Sequence, residues 1–110
     1  MTREAADRLY GSLDMLILRA LAGEPMHGYA ISDWINARTD GVLEIVDAAL
    51  YKSLHRLERQ ELVEGEWGIT TENRRARFYR LTAMGRRALR QETSAWQKYS
   101  AAVHKVLEPS

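Results

Sequence analysis

Three features of the sequence predict a mainly α fold with one small β-hairpin and a long terminal helix. The helical run from 47 to 59, with the residue before it, puts Val46, Leu50, Leu54 and Leu57 on one stripe. Leu62–Trp67 and Arg77–Leu81 are β-prone runs on either side of a polar stretch. Leu89, Trp96 and Val103 then recur every seven residues. A chain of 110 residues with 45% apolar content suits one globular domain. A domain of this size buries only about two thirds of its unfolded surface, so a second chain covering an apolar face would add stability.

In chain order, a first helix is expected from Ser12 or Leu13, with the Ser12 hydroxyl as its cap. Leu13, Leu16, Ile17, Ala20 and Leu21 form one apolar face; Met15, Leu18 and Ala22 form a second. A helix apolar on nearly every side must be covered on nearly every side, which points to a partner subunit as well as the chain's own core. Gly23-Glu24-Pro25 ends it, because Gly suits the residue past the last turn and Pro cannot continue it. A second helix is expected over residues 27 to 38, burying Ile31, Trp34 and Ile35 and ending near Asp40-Gly41. Val42 to Ile45 reads as a short strand pairing with the base of the hairpin.

The third helix has two contrasting sides. At 100° per residue, the side opposite the leucines collects Ala48, Lys52, His55 and Arg59, with Tyr51 and Arg56 on the shoulders. The polar stretch of the hairpin, Gly68 to Ala76, carries Asn73, Arg74 and Arg75. From Asn73 to Gln91 there are seven arginines and no acid, although the formal net charge of the whole chain is only +1. Charge concentrated in this way is the footprint of a polyanion-binding face. Thr82 can cap a last helix of about 25 residues, roughly 37 Å at 1.5 Å per residue. Tyr99 and Val106 share the seven-residue spacing, interrupted at Glu92, and the stripe reads as a helix-to-helix seam.

Other classes of function find little support. The chain has no cysteine, which excludes disulfides and thiolate metal sites and fits a reducing compartment. Met1 to Asp7 lacks the apolar core of a signal peptide, and the longest apolar run, Met15 to Leu18, is too short to span a membrane. A cytoplasmic protein with no membrane contact is expected. His27, His55 and His104 fall on separate elements, so no metal site is expected. Glu64 and Glu66 share a strand face, but no nucleophile, phosphate loop or activated histidine accompanies them. Neither an enzyme nor a cofactor is expected. Gly65 and Gly68 are turn and bulge material.

Three helices, the third amphipathic with a basic outer face, followed by a hairpin with a basic tip, make a winged helix-turn-helix plus a long C-terminal helix. The third helix would enter a major groove, its N-terminal half nearest the bases, while the wing tip meets phosphates or the neighbouring minor groove. Arg77 and Arg80 can equally alternate outward along a strand, and Arg86, Arg87 and Arg90 can simply solubilise the last helix.

The residues also carry a resemblance. Leu13-Asp14-Met15-Leu16-Ile17-Leu18, Met26-His27-Gly28-Tyr29, Leu50-Tyr51, Leu54-His55-Arg56-Leu57-Glu58, Glu66-Trp67-Gly68 and Asn73 to Thr82 resemble the PadR family of bacterial transcriptional regulators over almost the whole length. With a single C-terminal helix the chain looks like the short subgroup, which implies dimerisation through the first and last helices. The resemblance implies a DNA role for Tyr51; taken alone, the residue could also be a ring packed locally. It departs from the family at Ala48, Ala49 and Lys52, where Gly, a hydroxyl residue and Pro are usual. The missing hydroxyl removes a phosphate contact, which Lys52 is placed to replace. Some short relatives resemble drug sensors in which a tryptophan of the last helix stacks on planar ligands. That implies an effector role for Trp96, with Met15, beside the plain reading of Trp96 as dimer core.

The expectations are therefore definite. Residues 1 to 82 form the DNA-binding domain and residues 83 to 110 a dimerisation helix, in one compact unit. DNA is met by Ala48, Ala49, Tyr51, Lys52, His55, Arg56, Asn73, Arg74, Arg75 and Arg77. The dimer seam uses Leu13, Met15, Leu18, Leu89, Trp96, Tyr99, Val103 and Val106. The function is that of a homodimeric repressor on a pseudo-palindromic double-stranded operator, released by a small aromatic effector. The rival is a protein-interaction module, or a ligand-sensing dimer, whose basic face is incidental.

Overall fold

The computed structural model describes Leu9 and residues 11 to 109. Its elements in order are α1 (Leu13–Gly23), β1 (Met26–His27), α2 (Gly28–Arg38), α3 (Asp47–Arg59), β2 (Val63–Ile69), β3 (Arg75–Leu81) and α4 (Ala83–Leu107). Both hairpin strands run two residues closer to the turn than expected. The bounds of the helices match the sequence reading closely.

The small sheet departs from expectation. Its order is β1-β3-β2, and the strand beside β3 is Met26–His27, paired antiparallel as Met26 with Tyr79 and His27 with Phe78. Val42 to Ile45 form no strand. The backbone there is held instead by α2 side chains. The Leu43 N–H donates to the Thr39 hydroxyl at 3.1 Å, and the Asn36 amide donates to the Leu43 carbonyl at 3.2 Å. With these groups satisfied locally and β3 already paired on both edges, no position beside β3 is left for this segment. The turn that allows it has positive φ at Asp40 (52°) and Gly41 (80°), and Asp and Gly are among the residues that tolerate this region best.

The core gathers Ile17 and Leu21 of α1, Ile31 and Ile35 of α2, Leu50, Leu54 and Leu57 of α3, and Val63, Tyr79 and Leu81 of the hairpin. α1 lies at its centre and packs on α2, α3, β3 and α4. Two expected dimer residues belong to this core: Leu13 and Leu18 are only 3% and 1% exposed. Both faces of α1 are largely covered by the protomer itself, which is how so apolar a helix is accommodated. Leu89 is also half-buried against the core.

Two of the four described helices start on a side-chain cap; α1 and α3 do not. The Thr82 hydroxyl accepts from the Gly85 N–H at 3.0 Å and donates to the Glu61 carbonyl at 2.7 Å, tying α4 to the start of β2. His27 caps α2, its Nδ1 accepting from the Ala30 N–H at 3.3 Å. Ser12 does not cap α1; its hydroxyl points back to the Leu9 carbonyl at 3.5 Å. Beyond its first turns α4 leaves the body, and residues 101 to 109 are all exposed.

Candidate nucleic-acid interface

The outward face of α3 is set by what its inward face buries. Leu50, Leu54 and Leu57 are at most 1% exposed, so Ala48, Lys52, His55 and Arg59, on the other side, are exposed. Lys52, His55 and Arg59 pair with no acid among the described residues. The first turn reverses two expectations. Val46 is 59% exposed, whereas Ala49 packs against the core. Val46 precedes the helix with φ −75° and ψ 144°, so the 100° spacing does not apply to it and its side chain leaves the leucine stripe. Ala49 is therefore withdrawn from the candidate DNA contacts.

Tyr51 bridges α3 and α2. It is 41% exposed, yet its phenol lies over Gly28, where an added Cβ would stand 2.6 Å from the Tyr51 hydroxyl. Gly28 thus keeps a seat open for the ring. Tyr51 forms one wall of a cleft of about 740 Å³, whose other walls are the start of α2 with Tyr29, and the wing with Trp67 and Arg74. Tyr29 is 69% exposed beside it. Sequence reasoning assigned Tyr29 no role and did not find the Gly28 seat, although a glycine opening a helix is a usable signal of close approach.

The wing turns over residues 70 to 74, with Asn73 in the left-handed region at φ 61° and its N–H donated to the Thr70 carbonyl at 2.9 Å. Arg74 is exposed at this tip. Arg75 lies 4.6 Å from the Trp67 ring centre, a cation–π contact that stiffens the tip and leaves the charge in solvent.

Two candidates are otherwise engaged. The Arg77 guanidinium lies 2.6 Å from the Glu58 carboxylate, and the hydrogen bond to Glu58 raises its pKa above the usual arginine value. Tyr79 beside it is pushed up by burial first and by Glu58 second, so its phenol stays neutral. Arg56 makes a two-armed bond to Asp14 of α1, at 2.6 and 3.3 Å, and reaches the Ser53 hydroxyl at 3.3 Å. Both arginines join structural elements and are not free for phosphate. The reason is register and packing: the arginine-rich run lacks acids in sequence, but the fold brings Glu58 to Arg77 and Glu64 to Arg80, the latter at 2.9 Å. The basic surface is narrower than the sequence suggests.

A second hollow, of about 420 Å³, lies between α1 and α4 and is lined by Asp14, Met15, Leu18, Glu92, Trp96 and Tyr99 among others. The Trp96 and Tyr99 rings stand 6.1 Å apart. Along the same helix Trp96, Tyr99, Val103 and Val106 are 48%, 64%, 36% and 83% exposed. No group of three or more His, Asp or Glu that could hold a metal occurs among the described residues, and none of their helices is long and apolar enough to cross a membrane.

Three packed helices, a third helix with a basic outer face and a two-stranded wing beside it define a winged helix-turn-helix protein. The chain belongs to the transcriptional regulator PadR-like family, whose model matches residues 17 to 91. It is 30% identical over 103 residues, 94% of each chain, to an uncharacterised protein of Lysinibacillus sphaericus. Among solved structures it is similar to a transcriptional regulator from Clostridium thermocellum, with 28% identity and a TM-score of 0.84 over 93% of this chain and 99% of that one. It is also similar to a PadR family transcriptional regulator from Eggerthella lenta, with 32% identity and a TM-score of 0.78 over 96% and 89%. Its activity is DNA-binding regulation of transcription rather than catalysis.

Proposed function

We propose that the protein is a cytoplasmic, homodimeric repressor that occupies a pseudo-palindromic operator. The observation that carries the proposal is the cleft that Tyr51 of α3 shares with the wing tip, together with exposed Lys52, His55, Arg59 and Arg74, unpaired among the described residues. α3 enters the major groove, Tyr51 and Lys52 stand nearest the bases, and Arg74, Arg75 and Asn73 hold the backbone. Replacing Arg74 and Arg75 with Ala is expected to weaken specific and nonspecific duplexes alike. The parent's log-log salt slope, about −0.9 per neutralised phosphate, should flatten by one to two contacts. Altered specificity with an unchanged slope would contradict this role, and no duplex binding at low salt would favour a protein-interaction module.

Residues 83 to 110 serve as the dimerisation helix in this proposal. Trp96, Tyr99, Val103 and Val106 leave an apolar stripe exposed on α4. At about 25 cal/mol per Å², covering several hundred square ångströms contributes several kcal/mol before association costs. Leu13 and Leu18 are buried and take no part; Met15, at the rim of the hollow, remains available. The same hollow is the proposed effector site. Asp14 lines it and also holds Arg56 of α3, so a planar aromatic cation beside Trp96 sits one ion pair from the recognition helix. Release of DNA requires that ligand to favour one arrangement of the two helices over another. A dimer is expected in sedimentation, with tryptophan quenching by ethidium in the absence of DNA that Trp96→Ala removes. A monomeric parent would refute the dimer, and an unquenched one the effector site for this ligand class.

A further inference from the structure

We infer that the tip of α3 reads thymine through its C5-methyl group, using Val46 and Ala48. This rests on the proposal that α3 lies in the major groove. The outward side chains at the start of the helix are Val46, 59% exposed, and Asp47 and Ala48, both exposed; Ala49 is turned to the core. None of the three outward groups carries an N–H or O–H donor on its side chain. Guanine presents two acceptors, O6 and N7, in the major groove and is read by a donor. Thymine presents an acceptor and a methyl group, and the methyl is read by apolar contact. A tip whose outward side chains offer a valine and an alanine but no donor is therefore matched to the thymine methyl and mismatched to guanine. Asp47 does not separate the two bases, since its carboxylate repels thymine O4 as it does guanine O6 and N7, so the preference rests on Val46 and Ala48. Hydrogen-bonding donors begin one turn later, with Tyr51 and Lys52. The phenol of Tyr51 is seated over Gly28, which fixes the ring against α2 and leaves Val46 and Ala48 as the free apolar groups at the helix start. Charge places this surface at DNA: Lys52, one turn along the same face as Ala48, pairs with no acid among the described residues.

The test begins with selection of bound duplexes from a random pool by the full-length protein. Each thymine of the selected site is then replaced by deoxyuridine, which removes the methyl group and nothing else. Affinity is expected to fall about fourfold per methyl, the worth of one buried CH₂, at one or two thymines in each half-site. Val46→Ala and Ala48→Gly should each reduce the thymine-to-uracil ratio at one of those positions. The ratio compares two DNAs on one protein, so a loss of helix stability in Ala48→Gly does not imitate the effect. Uniform tolerance of deoxyuridine by the parent would overturn the inference while leaving groove binding intact, as would half-sites without thymine. Failure to select any duplex would overturn the placement of α3 in DNA, and the inference with it.

Discussion

Gly85→Ala is expected to destabilise the protein more than a methyl addition at Gly23, Gly28, Gly41, Gly65 or Gly68, by about 3 kcal/mol, at the upper end of overpacking effects. Gly85 is the buried residue in the first turn of α4, and an added Cβ would overlap the Leu62 carbonyl oxygen. That oxygen cannot move aside, because it accepts the Thr82 N–H at 3.1 Å. Thr82 in turn holds both Glu61 and Gly85 through its hydroxyl. Separating α4 from the start of β2 would disconnect the wing from the long helix. Against a stability of about 5 to 15 kcal/mol for ordinary domains, such a loss is large. Urea denaturation followed by circular dichroism would measure it, with Gly23→Ala as the control. Nothing lies within 4 Å of a Cβ at Gly23, so that change should be neutral or slightly stabilising. A Gly85→Ala midpoint equal to the parent's would mean that the α4 junction is not tightly packed.

The second large effect is expected at the DNA. Changing Tyr51 and Lys52 together to Ala should lower affinity for the selected operator about 100-fold, taking roughly 1 to 3 kcal/mol for each well-placed groove contact. Nonspecific duplex should lose only the share of one charge. Gly28→Ala provides an independent view, because Gly28 itself has no proposed DNA contact and the change acts through Tyr51 alone. Its methyl would displace the Tyr51 ring, since the hydroxyl lies 2.6 Å from the added carbon. The variant should therefore lose specific affinity with little change in salt slope. Retained operator affinity in the double variant would show that another face of α3 meets the bases. Equal losses on specific and nonspecific DNA would show that Tyr51 and Lys52 only hold the backbone.

The element pattern was legible because it rests on local chemistry. The leucine stripe of α3, the break at Gly23-Glu24-Pro25, the Thr82 cap and the β-prone runs of the hairpin are properties of neighbouring residues. They survive in the fold, the strands reaching two residues farther toward the turn than read. The resemblance to PadR regulators rests on ordered motifs of the same local kind, and the family match agrees with it.

What the chain could not show alone was which distant groups meet. Arg56 and Arg77 looked like phosphate ligands until packing brought Asp14 and Glu58 to 2.6 Å from them. Leu13 and Leu18 looked surplus to one protomer, yet α4 and the sheet pack on α1 and leave them buried. Val42 to Ile45 had the composition of a strand, but β1 had taken the only free edge of β3. The seat of Tyr51 depends on α2 crossing α3 at Gly28. Helix periodicity, caps and turns are decided within a few residues and are written in the sequence. Ion pairing, burial and strand partnership depend on residues far apart in the chain, 42 positions between Asp14 and Arg56 and 53 between Met26 and Tyr79, and only the closed tertiary structure selects among the partners available to each.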